Sequence, residues 1–275
     1  MSAQRIFITG GASGLGRALA ERYARAGWRV CVGDIDDAAG SETAGALAQL
    51  GGDAHYLHCD VTRDADFEAA AAWLREHWGG VDVVVNNAGV AAAGGIAEMP
   101  MQDWLWSVDI NLLGVVRGCR SFTPLLRAQG GGHLVNIASM AGLIHAPMMA
   151  AYNATKAGVV ALSETLKIEL APDGIDVSVV CPGFFRTGIA RNMRATGADV
   201  KHITHKLVDR AKTGADEIAR QIFDGVARGD FHILTHADGR MAWRIKRHAP
   251  YRWYAALMAR QTRGMMRPRG AGIGA

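Results

Sequence analysis

The stretch SMAGLIHAPMMAAYNATK, Ser139 to Lys156, places a hydroxyl, a phenol and an ammonium where they can converge on one carbonyl. Tyr152 and Lys156 stand four residues apart, so on a helix they share a face. A free tyrosine has a pKa of about 10 and is a poor base at neutral pH. A fixed cation beside it favours the phenolate and lowers that pKa, which predicts a phenol able to take and return a proton. Ser139 lies thirteen residues upstream, in what reads as the loop after a strand, placed to hold an oxygen on which charge develops. Tyr-x-x-x-Lys alone is a spacing found in many helices. The other end of the chain gives it weight.

That end reads RIFITGGASGLGRALAERYARAG. Arg5 to Thr9 is a short β-rich run, Gly10 to Gly16 a glycine loop, and Arg17 to Ala26 an amphipathic helix pattern. Strand, loop and helix together open a dinucleotide-binding βαβ unit. Its glycines let backbone approach a pyrophosphate, and its helix N-terminus supplies N–H donors. The spacing is GxxxGxG rather than the general GxGxxG. TGGASGLG, NNAG at 86–89, Asn111, Ser139 and Tyr152-x-x-x-Lys156, in that order, together resemble the short-chain dehydrogenase/reductase family over residues 5–235.

The resemblance implies an enzyme that moves hydride to or from a nicotinamide cofactor, and it assigns the site. Tyr152 is expected to be the general acid/base. Lys156 binds the nicotinamide ribose and favours the Tyr152 phenolate, Ser139 orients the substrate oxygen, and Asn111 holds a water for proton exchange. On the same resemblance the cofactor lies against Gly10, Ser13, Gly14, Leu15 and Gly16, against Asp34, Asp60 and Val61, and against Asn87, Ala88 and Gly89. Pro182, Gly183, Phe185 and Thr187 form the loop at the nicotinamide, and Phe185 stands where a smaller aliphatic residue is frequent. Each residue also has a plainer reading as a turn hydroxyl, packing aromatic, solvated lysine or cap; Thr62 suits the N-cap of the next helix better than Asp60 does. Asp34 bears on the cofactor directly. It ends the second strand eighteen residues after Gly16, where a carboxylate accepts from ribose hydroxyls and repels a 2′-phosphate. Neither Gly11–Ser13 nor Ile35 offers a cation to that phosphate, so NAD is favoured over NADP.

The substrate wall is expected from Met140, Leu143, His145, Met149 and Phe184, with Ser139 and Tyr152 at its base. An apolar, methionine-rich wall suits a hydrophobic secondary alcohol or ketone. Residues 184–206 also hold Arg186, Arg191, Arg194, Lys201 and Lys206 against one acid, Asp199. That segment reads either as a lid attracting an acidic group or as a solvated loop.

Positioning these residues requires a sheet. Strand-like runs recur at Ile6–Thr9, Val30–Gly33, Ala54–Leu57, Val81–Asn86, His133–Ala138, Asp176–Cys181 and Phe231–Thr235. Helical patterns separate them at Arg17–Ala26, Ala38–Leu50, Ala65–Trp78, Met101–Ala128, Ala151–Ala171 and Asp216–Arg228. Alternation of this kind predicts a single α/β domain: a Rossmann-type, doubly wound, seven-stranded parallel sheet with its candidate residues along the carboxyl rim. On the family's pattern the two long helices make a homodimer, with a tetramer left open.

Composition narrows the class. The chain has 275 residues, 49% hydrophobic and 20% charged, with no apolar run long enough to span a membrane. No signal peptide is evident and four cysteines sit in apolar segments, which predicts buried thiols and a cytoplasmic protein. His202, His205, His232 and His236 lack a supporting Cys or carboxylate pattern, so no metal is expected. The net charge of +4 hides a division: residues 1–239 carry 21 Lys and Arg against 26 Asp and Glu, while residues 240–275 carry nine and no acid. The chain thus divides into a catalytic domain, 1–239, and a basic, aromatic-rich extension, 240–275, helix-like from Tyr251 to Met266. The extension reads first as a cover for the pocket or a neighbouring subunit, and more sharply as a peripheral surface for anionic lipid. Nucleic acid is not expected, because no recognition motif accompanies the charge. Against the enzyme stands a non-catalytic, nicotinamide-binding redox sensor or regulator on the same fold.

Overall fold

The structure, a computed structural model, describes residues 3–188, 193–196, 202, 210–211 and 213–262. Its first half alternates β1 (Arg5–Thr9), α1 (Gly14–Arg25), β2 (Arg29–Asp34), α2 (Asp37–Ala48), β3 (Ala54–His58), α3 (Asp64–Trp78) and β4 (Val83–Asn86). A short strand β5 (Ala92–Ala93) precedes α4 (Met101–Val108), α5 (Gly114–Ala128), β6 (Gly132–Ile137), α6 (Ala150–Glu169) and β7 (Ile175–Val180). Then come β8 (Arg194–Ala195), α7 (Ala215–Ala227), β9 (His232–Ile233), α8 (Ala237–His248) and α9 (Tyr251–Gln261).

Seven strands pair in the order β3-β2-β1-β4-β6-β7-β9, every neighbour parallel. Strand alternation decides which face each side chain takes. Phe7 joins Phe67, Leu74, Phe122 and Leu126 under α3, α5 and α6, while Ile6 and Ile8 join Leu19, Tyr23 and Ile222 under α1 and α7. Each such fully buried side chain contributes roughly 1.5–3 kcal/mol of transfer free energy. With both faces covered, β4 is the continuous valine run that a doubly buried strand requires. All four cysteines are free and buried.

The chain winds outward from β1 to β3 and then returns to lay β4 on the other side of β1. That reversal opens a crevice beyond the carboxyl ends of β1 and β4, where ligands bind in sheets of this kind. Two local expectations are corrected. Met101–Ala128 is not one α-helix: α4 and α5 are separated by a π-helical turn, Asp109–Leu113, in which the Gly114 N–H reaches the Asp109 carbonyl. The added residue places the Asn111 side chain inward, against the Val90 main chain. Nor does Thr62 cap α3; the N-cap is Arg63, and Thr62 bonds the Asp60 carboxylate through both its N–H and its hydroxyl. Residue 240 falls inside α8, which begins at Ala237. Among the described residues, no helix is long and apolar enough to cross a membrane.

Candidate active site

The glycine loop leaves β1 and turns sharply into α1. Gly10 takes a φ of +64°, and a Cβ there would lie 2.9 Å from the Ala88 Cα. At Gly16 a Cβ would stand 2.1 Å from the Gly10 carbonyl oxygen, so only glycine lets α1 start this close to the loop. Ser13 is the α1 N-cap yet makes no side-chain capping bond, and the first turn carries no acid, whereas α2, α3 and α7 each carry Asp or Glu there. The positive end of α1 is therefore left to a ligand. Leu15 turns its side chain into the core and can meet a ligand only through backbone. Asn87 staples the loop in place: its Nδ2 donates to the carbonyls of Thr9 (2.8 Å) and Gly10 (3.2 Å). The N–H groups of Asn87 and Ala88 both donate to the Thr9 hydroxyl.

At the end of β2 the Asp34 carboxylate accepts the Ala12 N–H at 3.0 Å and the Asp36 N–H at 3.2 Å. A carboxylate offers about four lone-pair directions, so acceptor capacity remains. Its surroundings are acidic. Asp36 and Asp37 follow in the chain, and Tyr56 Oη bonds both the Asp34 carbonyl and the Asp37 carboxylate. Arg17, which follows the last glycine of the loop, is paired with Glu21 and Glu42. Asp60 is committed to its turn with Thr62, and Val61 is buried against Gly114. On the far side of the crevice, a Cβ on Gly14 would lie 3.1 Å from the Thr187 hydroxyl, so the 182–187 loop folds over the glycine loop. Phe185 packs its ring against the α1 side of the core.

Four catalytic candidates gather beside this crevice. Ser139 caps a single 3₁₀ turn, accepting the Ala141 N–H at 3.1 Å; its hydroxyl donates to the Pro182 carbonyl at 3.4 Å and lies close enough to the Tyr152 phenol to favour the phenolate. Lys156, almost fully buried, donates to the Ile137 carbonyl at 2.9 Å, and its Nζ stands 5.9 Å from the Tyr152 ring centre. A Cβ on Gly89 would approach the Asn111 Oδ1 at 3.1 Å and the Lys156 Nζ at 3.5 Å, which places all three together. The Asn111 amide grips both sides of the Val90 peptide, at 2.8 and 2.9 Å. One expectation is reversed. The Tyr152 pKa is raised rather than lowered, because burial outweighs the influence of Ser139, and Lys156 is turned toward Ile137. Burial also pushes the Lys156 ammonium down to about 8.

Around Tyr152 lies an apolar wall of Ala91, Ala93, Met148, Met149, Met193 and Ala195, in which β5 and β8 pair in parallel. Met140 and Leu143 are buried, His145 is on the rim, and Phe184 is about half exposed. Of the expected basic segment, Arg194 is spent on Asp103 and on the Trp106 ring, while Arg191, Asp199, Lys201 and Lys206 lie outside the described residues. The sequence suggested the extension as a cover for the pocket but not the individual contacts it makes. Tyr254 Oη, on α9, accepts the His145 N–H at 3.0 Å, and Lys246 Nζ, on α8, donates to the Leu143 carbonyl at 2.6 Å. Gly239 sits on Met140, where a Cβ would come within 3.0 Å. His236, considered only as a metal ligand, instead accepts the Gly183 N–H at 3.0 Å through Nδ1. A basic helix carrying a buried-type aromatic at Tyr254 was the one signal available.

Sheet order and the uncapped glycine loop define a Rossmann-like α/β fold, with Ser139, Tyr152 and Lys156 gathered at its switch point. Residues 4–198 match the family described as short chain dehydrogenase. A CLA biosynthesis dehydrogenase/reductase from Lactiplantibacillus plantarum is 31% identical over 251 residues, 85% of this chain and 88% of that protein. A short chain dehydrogenase/reductase from Burkholderia phymatum, solved in complex with NAD, aligns with a TM-score of 0.84 at 31% identity over 99% of both chains. A short-chain dehydrogenase from Sphingobium yanoikuyae, solved with NADPH, gives a TM-score of 0.73 at 28% identity over 97% of both. The chain belongs to the short-chain dehydrogenase/reductase family and is an oxidoreductase of that family.

Proposed function

We propose that the protein transfers hydride between NAD(H) and a hydrophobic secondary alcohol or ketone, with Tyr152 as general acid/base. The observation that carries this reading is Tyr152 set in an apolar wall, with Ser139 close enough to favour its phenolate and the buried Lys156 Nζ 5.9 Å from its ring centre. A regulator that only bound the cofactor would have no need of a phenol paired with that ammonium.

The residues present fit a nicotinamide dinucleotide. The uncapped α1 N-terminus and the Gly10–Gly16 backbone suit a pyrophosphate, and the spare lone pairs of Asp34 suit ribose hydroxyls. Lys156 spends one N–H on Ile137 and keeps two donors for a second ribose. Bound there, the cofactor supplies the hydride acceptor or donor. The protein's part is geometry and a proton. Ser139 Oγ orients the substrate oxygen as charge builds on it, and Tyr152 Oη gives or takes the proton at that oxygen. Because the Asn111 amide is committed to Val90, the water expected of Asn111 falls to its main-chain carbonyl.

Asp34 sets the cofactor type in this reading. Asp36, Asp37 and the neutralised Arg17 make the ribose corner hostile to a 2′-phosphate. Replacing Asp34→Ser is expected to narrow the preference for NAD over NADP by about 10–100-fold, since like charges brought together cost several kcal/mol. Ratios of kcat/KM for the two cofactors check it; an unchanged ratio would remove Asp34 from the account. Tyr254 acts as a positioning residue for the wall. Tyr254→Phe should raise the KM of a bulky alcohol roughly 3–10-fold, the worth of one hydrogen bond, with kcat and the cofactor KM unchanged. Equal KM values would mean that the 143–145 segment holds its place without α9.

The reading as a whole is tested by initial rates for aliphatic, benzylic and steroid secondary alcohols with each cofactor. Preference for NAD and for the apolar alcohols supports it. Reaction only with carboxylated or sugar substrates would replace the apolar substrate class.

A further inference from the structure

Most of the described arginines in the body of this protein are paired with an acid, though not all: Arg22 lies instead over the Phe223 ring. Arg5, Arg17, Arg29, Arg117, Arg127 and Arg194 each lie within ion-pair distance of a carboxylate. α8 and α9 depart from that pattern. Among the described residues, Arg244, Arg247, Arg252 and Arg260 have no carboxylate partner, and no acid occurs in the sequence from residue 240 onward. The two helices are also two-sided. Gly239, Trp243, Lys246 and Tyr254 face the body and grip the 140–145 segment and the core. On the solvent side Met241, Tyr251 and Trp253 are 65%, 76% and 63% exposed, with Ile245 one turn from Met241 and the Tyr251 ring 6.1 Å from that of Tyr254.

We propose that this outer face seats the protein on an anionic lipid bilayer. Indole, phenol and aliphatic tips enter the headgroup level while the guanidinium groups take lipid phosphate and carboxylate. Charge complementarity selects this occupant: apart from Asp238 in the first turn of α8, the exposed charges of these helices are all basic, on a body of net −5. A polynucleotide would leave Met241 and Ile245 against phosphate and water, whereas a bilayer interface accommodates both kinds of side chain. Since the inner face of the same helices holds the substrate wall, the seat would bring the pocket near a reservoir of apolar alcohol; that consequence rests on the proposed function, the seat itself does not.

The test is sedimentation of the full-length protein with phosphatidylcholine vesicles and with equimolar phosphatidylcholine–phosphatidylserine vesicles, without substrate or cofactor. Binding is expected only to the anionic vesicles, weakening as salt is added. The variant Arg244→Gln/Arg247→Gln/Arg252→Gln should lower partitioning about a hundredfold, and Trp253→Ala several-fold. Lysine at the same three positions should restore binding, which separates charge from misfolding; NADH binding, measured separately, reports on the cofactor site alone. Sedimentation with neither vesicle or equally with both, or a glutamine variant that binds as wild type, would overturn the proposal. So would capture by duplex DNA without vesicles, or a mass in solution that halves in Trp253→Ala, which would assign the face to a nucleic acid or a second copy.

Discussion

Tyr152→Phe is expected to bind NADH as the wild type does and to lose about 10²–10⁴ in turnover, the usual worth of a general acid–base group. The change removes one oxygen and leaves a ring that packs in the same apolar wall. Ser139 keeps its bond to the Pro182 carbonyl, and a substrate oxygen loses its proton partner. The cofactor contacts proposed for the glycine loop, Asp34 and Lys156 are untouched by the substitution. Fluorescence titration with NADH, run beside steady-state rates, separates the two effects. Near-full activity in the variant would sink the assignment of Tyr152.

The second large effect concerns Lys156, and its two arms point in opposite directions. In the unfolded chain a lysine titrates near its ordinary value of 10.5, whereas burial holds Lys156 down to about 8. Between those values the unfolded chain carries a proton that the folded one lacks, so stability rises with pH from about 8 to about 10.5. At neutral pH the buried cation therefore costs the fold about 3 kcal/mol. Lys156→Met removes that cost, and the unfolding midpoint of the protein without cofactor should rise by several degrees at neutral pH, at about 2–4 °C per kcal/mol. The advantage should shrink toward about pH 10, where the wild-type lysine is neutral in the fold as well. Activity should move the other way, falling by about 10² or more, because the variant can neither donate to ribose nor support the phenolate. Calorimetry at the two pH values checks the first arm and initial rates the second. A variant less stable than wild type would make Lys156 a structural residue.

Much of this was legible in the chain because it is local. β1, β2, β6 and β7 lie within a residue or so of the runs that predict them, since a doubly buried strand writes itself as a short apolar run; β3, a half-buried edge strand, lies as close to its run. The glycine loop is readable for the same reason: steric exclusion at Gly16 acts on the neighbouring Gly10 carbonyl. What was not legible depends on distant contacts. No residue in DINLLG breaks a helix, and the π-helical turn answers to Val90, twenty-one positions from Asn111. His145 and Tyr254 are 109 residues apart and meet only when α9 docks. The Tyr152 pKa follows burial, which spacing cannot express; four residues of separation put a cation on the same face, but the Ile137 carbonyl holds it. Phe185 reads as a pocket residue by its motif and packs into the core by its neighbours.

The central claim is that hydride leaves or reaches a carbinol carbon beside Tyr152. The most direct measurement is mass spectrometry of the cofactor after incubating the protein with NAD and an apolar secondary alcohol deuterated at that carbon. The account predicts reduced cofactor carrying the deuterium, with the label lost from the alcohol as its ketone appears. Unlabelled, unreduced cofactor, from a protein that nevertheless binds NADH tightly, would contradict it and leave a nicotinamide-sensing regulator in its place.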